Sequence, residues 1–115
     1  MEREPKTGKI TIAPDVLETV VRLTTLAVPG VTRLTPAPGV QRMLGQKGVE
    51  IEVTDQKVNA TVHVVVEPGL SLLEVGRTIQ REVARALKEI VGMDVEAVNV
   101  SVEDITKLTK EPKDT

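Results

Sequence analysis

Cysteine, phenylalanine, tyrosine and tryptophan are all absent from this chain of 115 residues. Without cysteine there is no disulfide framework, no thiolate nucleophile and no thiolate metal site, and a reducing compartment is permitted. Without aromatic rings nothing can stack on a nucleobase, cage a methylated ammonium or form an aromatic belt at a membrane interface. Histidine occurs once, at position 63. Charge of one sign is also lacking: 15 Lys and Arg stand against 17 Asp and Glu, a formal net charge of −2, so no global field draws the chain to polyanions or acidic lipid. Long apolar runs are missing too. The charged start Met1–Lys9 has no apolar signal region, and the stretch Val62–Val66 is interrupted by His63, far short of a spanning helix. The expectation is a chain that neither carries a secretion signal nor spans a membrane.

What remains is an ordinary apolar share, 40% of the residues, carried to a large extent by twenty valines. That share and length predict one folded domain with a core of small, stiff, branched side chains suited to strands. Residues 8–105 are expected to form it. Residues 1–7 and 106–115 are charged, contain Pro5 and Pro112, and read as flexible tails.

Within the domain, Ile10 and Ile12 alternate with Lys9 and Thr11, predicting a short strand that Pro14 ends. A helix follows, with Asp15 and Glu18 near its start and Val28-Pro29-Gly30 as its stop; Val16, Val20, Leu23 and Ala27 form its expected core stripe, with Leu17 and Val21 beside it. Val31–Leu34 reads as a short strand. Thr35–Gly48, with two prolines and three glycines, reads as a long mobile excursion. Val49, Ile51 and Val53 and then Val58, Ala60, Val62, Val64 and Val66 alternate about Asp55-Gln56, which predicts a β-hairpin with one apolar face. Ser71-Leu72-Leu73-Glu74 fits a capping box and opens a second helix, whose stripe Val75, Ile79, Val83, Ala86, Leu87 and Ile90 runs to the stop at Gly92. A last strand covers Val95–Val102. The predicted fold class is α+β, two helices packed on one face of a mixed β-sheet in the order β-α-β-β-β-α-β. The other sheet face, with Val65, Val95 and Ala97 among Thr61, His63 and Asn99, is left to solvent or to a second subunit.

Candidate chemistry is sparse. His63 has neither a cysteine nor a second histidine with which to share a metal, and no G-x-S-x-G turn surrounds Ser71 or Ser101. Neither catalytic residues, a cofactor nor a metal site is expected. Arg77, Arg81, Arg85 and Lys88 share one face of the second helix and form a possible contact for an anionic partner, or a solvated face paired as Glu74–Arg77 and Arg85–Glu89. Gly45-Gln46-Lys47-Gly48 has the GxxG form that KH domains use to clamp nucleotides, but it leads into a strand instead of joining two helices. A nucleic-acid-binding module using the basic face is therefore the alternative, and nucleic acid is not the favoured partner.

Gly8-Lys9-Ile10, Pro29-Gly30-Val31, Gly48-Val49-Glu50-Ile51-Glu52-Val53 and Val64-Val65-Val66-Glu67 followed by Gly69 occur in an order that resembles the alkaline shock protein family of bacterial envelope stress response proteins. Glu74-Val75, Ile79-Gln80, Val83 and Val91-Gly92-Met93 resemble its second helix, and Val95–Val102 resembles its closing V-x-V-N-V-x-V strand. The excursion departs from the pattern, with Pro36-Ala37-Pro38 where a more glycine-rich stretch is expected. The resemblance implies a cytoplasmic, non-enzymatic bacterial protein that self-associates and, in some members, is held near the membrane by a separate anchor protein. Thr61, His63, Val65 and Ala97 are the expected self-association residues.

Overall fold

The computed structural model describes residues 7–36 and 48–106. The expected tails apart from Thr7 and Thr106, most of the Thr35–Gly48 excursion and all of the GxxG motif except Gly48 lie outside the described residues. The elements are α1 (Pro14–Leu26), β1 (Val31–Leu34), β2 (Val49–Thr54), β3 (Lys57–Val66), α2 (Leu72–Ala86) and β4 (Asp94–Ile105), with a π-helical turn at Leu87–Val91 continuing α2.

The α+β class and the two-layer arrangement are as expected from the sequence. β3 is the central strand. On one side it pairs with β2 through its first half and with β1 through its second, both antiparallel; on the other it pairs along its whole length with β4, in parallel. β1 and β2 thus form one edge in two pieces. They abut at Gly48, whose φ is +89° and where a Cβ would come 2.8 Å from Leu34 Cβ. Parallel neighbours need a crossover, which α2 supplies between β3 and β4. The hairpin turns through Asp55 and Gln56, both at positive φ, which is the two-residue geometry that matches strand twist.

The helices cover the sheet face that carries Val58, Ala60, Val62, Val64 and Val66. These side chains join Leu17, Val21 and Val28 from α1 and its end, and Val75, Ile79, Val83 and Leu87 from α2 and the π turn, in one buried cluster. α2 begins as expected, with the Ser71 hydroxyl accepting the Glu74 N–H at 3.2 Å.

Four expectations are corrected. The segment around Ile10 and Ile12 forms no strand and Ile10 is 91% exposed, because its alternation meets no partner strand. α1 buries Leu17, Val21 and Thr25, not the expected stripe, and leaves Val16 and Leu23 exposed. Burial of Thr25 is tolerable because its hydroxyl donates to the Val21 carbonyl at 2.8 Å. Ile90 points outward: the wider π turn, which ends with Gly92 N–H bonded to the Leu87 carbonyl, delays the helical phase by about one residue, so Val91 packs inward in its place. Val95 belongs to the covered face, because a bulge at Glu96 separates it from Ala97 and inverts the alternation between them.

Candidate functional site

The sheet face without helices collects polar side chains in register. Alternation along β3 places Asn59, Thr61, His63 and Val65 there, and the parallel ladder sets Ala97, Asn99 and Ser101 of β4 beside Asn59, Thr61 and His63. Glu50 and Glu52 of β2 lie opposite Thr61 and Asn59. Asn99 is the centre of one small network, its amide donating to the Asn59 side chain at 3.0 Å and to the Thr61 hydroxyl at 3.2 Å.

His63 is the centre of the other. It is only 9% exposed, and Nδ1–H donates to the Glu103 carboxylate at 2.8 Å. The Ser101 hydroxyl donates to the same carboxylate oxygen at 2.7 Å. These two bonds, the histidine's first, hold the Glu103 carboxyl below the usual carboxylate range. On the far side of the ring, Nε2 is out of contact with water and lies 3.3 Å from the Glu50 carboxylate without a properly directed hydrogen bond. The imidazole is therefore bracketed by two acids from two different strands.

This arrangement is not a nucleophile and its base. Ser101 and His63 both spend a proton on Glu103, so no hydroxyl is bonded to the ring nitrogen that would have to activate it. Among the described residues no group of three His, Asp or Glu side chains is placed to hold a metal ion.

Of the expected contact residues, the structure brings Thr61, His63, Val65 and Ala97 to one face but buries two of them. His63 is enclosed by its acids and Val65 is 1% exposed, while Thr61 and Ala97 are half-buried. Arg77, Arg81, Arg85 and Lys88 are all exposed on α2 and its π turn. Their pairing differs from the expected one: Arg81 and Arg85 both lie near Glu82, at 3.7 and 3.6 Å, and Lys88 reaches Asp94 at 3.2 Å. Arg77 has no acidic partner among the described residues.

Glu50, Ser101 and Glu103 were not singled out as a group by the sequence. Alternation alone puts Glu103 on the face of Ser101. Bringing both to His63 requires the pairing of β4 with β3, which no local pattern encodes.

Three comparisons accord with this architecture. The chain is 28% identical over 109 residues to the uncharacterized protein YqhY of Bacillus subtilis, covering 90% of this chain and 81% of that one. It is 32% identical over 110 residues to the uncharacterized protein Spy1535 of Streptococcus pyogenes, covering 92% and 84%. Among solved structures, MamM CTD variants superpose with a TM-score of 0.59 at 16% identity, over 78% of this chain and 95% of theirs, a likeness of fold alone. Residues 2–107 match the ASP23 family, described as having a cell envelope-related function. The chain thus belongs to this family, the alkaline shock protein family that its glycine and valine motifs resemble.

Proposed function

We propose that this protein is a non-enzymatic structural or scaffolding protein of the bacterial envelope stress response. It works in the cytoplasm by self-association and by contact with other proteins, a separate membrane-anchor protein among them. Membership of a family with a cell envelope-related function supports the envelope role. None of the helices among the described residues is long and apolar enough to cross a membrane, and this reading assigns attachment to a partner.

The observation that carries self-association is the uncovered sheet face. Both helices pack on the opposite face, and what they leave is a surface of Asn59, Thr61, Ala97, Asn99 and Ser101 held in register by the pairing of β3 with β4. Side chains fixed by their own hydrogen bonds lose little freedom when a second copy is laid over them. His63 and Val65 lie on this face but are largely buried, so Thr61 and Ala97 offer the contact.

Light scattering on the full chain tests the reading. The expected result is a mass above the 12.4 kDa of one chain, falling to that of a monomer on Thr61→Arg or Ala97→Arg. A wild-type monomer at high concentration overturns it.

A further inference from the structure

β4 forms the edge of the sheet opposite β1 and β2, and its outward groups can be identified. The N–H of His63 donates to Gly48 and its carbonyl accepts from Thr35, so odd-numbered residues in this part of β3 face the β1–β2 side. Even-numbered ones face β4, in agreement with the bond from Thr106 N–H to the Val66 carbonyl. In the parallel ladder Ala97, Asn99 and Ser101 then bond to β3, and Val98, Val100 and Val102 direct their backbone N–H and C=O groups away from the sheet. One of these groups is already engaged. The Val98 carbonyl accepts a hydrogen bond from the Gln80 side-chain amide of α2 at 3.0 Å. For Val100 and Val102 no acceptor or donor of this kind is present among the described residues.

Edges of this kind are usually blunted by charge, proline or bulges. β4 has acidic residues and bulges only near its ends, at Glu96 and Glu103, while Ala97–Val102 between them has no charge, glycine or proline. Beside this stretch runs a groove of about 340 Å³ between β4 and α2, lined by Leu72, Leu73, Gly76, Arg77, Gln80, Val100 and Val102. Leu73 is 64% exposed, and Arg77 stands at the rim without an acidic partner among the described residues.

We propose that the β4 edge and this groove bind an extended segment of another protein by strand addition. The segment carries apolar side chains at alternate positions for the groove and a carboxylate for Arg77. The occupant is not a second β4. The antiparallel registers that let the outward groups of the two strands meet set Glu96 or Asp94 opposite Asp104 of the other copy, like charges at both ends of the pairing. The unmatched guanidinium of Arg77 favours an acidic partner instead. This surface is separate from the open sheet face, so its failure leaves self-association through that face standing.

The test uses the full chain, isotopically labelled, and a fluorescein-labelled peptide of alternating threonine and valine with a free C-terminal carboxylate. Peptide binding should shift the amide signals of Val98, Val100 and Val102 in NMR spectra and slow their hydrogen exchange. N-methylation of one alternate set of peptide amides should abolish binding while the other set is tolerated. Arg77→Glu, or amidation of the peptide terminus, should weaken binding about tenfold as read by fluorescence anisotropy, and Arg85→Glu should leave it unchanged. Unmoved amides at about 1 mM peptide, or tolerance of both methylated sets, overturns the proposal. So does protection of these amides that grows with protein concentration alone, which would assign the edge to a second copy.

Discussion

β3 has two faces, and they do different work. The face under the helices carries Val58, Ala60, Val62, Val64 and Val66, each fully removed from water, and its packing is shared with α1, α2 and the π turn. On the open face Asn59, Thr61 and His63 are held not by packing partners but by hydrogen bonds to β4, with Glu50 of β2 beside the histidine ring. One face supplies cohesion through apolar area, the other supplies a defined polar surface. The difference shows how a chain without a single aromatic ring divides its tasks: valine fills the layer beneath the helices, where small branched side chains interdigitate, and the few polar groups with directional bonds are gathered where no layer covers them.

That division can be broken most strongly from the covered side. Ile79 of α2 is fully buried against the β3 valines. Ile79→Ala should cost about 2–5 kcal/mol, seen as a large drop in the thermal midpoint with the open-face hydrogen bonds otherwise unchanged. A loss below about 1 kcal/mol would mean that the core beneath α2 repacks freely.

The open face should respond less, and through pH. Because the folded-state pKa of Glu103 lies below its ordinary value of 4.5, its charged form contributes stability that is fully present above that value. This contribution is lost as pH falls through the depressed pKa. Glu103→Gln should therefore be less stable than wild type at neutral pH, with the gap closing on the acid side as wild-type Glu103 becomes protonated. Denaturant unfolding at a series of pH values reads this directly, and a gap independent of pH would show that the carboxylate charge is not what His63 and Ser101 hold.

The smallest effect is expected at Ile90, 71% exposed despite its place in the apolar pattern of the second helix. Ile90→Gln should change stability by no more than about 0.5 kcal/mol, measured by the same unfolding. A larger loss would put Ile90 in a contact that the single chain does not make.

Several elements were legible because their cause is local. The capping residue Ser71, the two-residue turn at Asp55-Gln56 and the alternation of β2 and β3 each depend on neighbours within a few positions. α1 was legible as a helix but not as to its face, since Val16, Val20 and Leu23 make as apolar a stripe as Leu17, Val21 and Val28. Only contact with the sheet selects between them. Ile10 and Ile12 have the period of a strand, but a strand needs a partner, and none of the described strands pairs with them. The His63 site was legible only in parts. The histidine and its neighbours on β3 were placed on the correct face, while the acids that enclose it come from β2 and β4.

The sequence by itself determined the secondary-structure inventory apart from the first strand and the π turn, the two-layer class, the family and the lack of thiol or aromatic chemistry, because composition, period and capping are properties of short stretches. The tertiary structure alone decided which stripe of α1 is buried, that β4 runs parallel to β3 with bulges at Glu96 and Glu103, and that His63 meets Glu50 and Glu103. These depend on pairing between residues as many as 40 positions apart, where the register is settled by the fit of the whole valine core and not by any local preference.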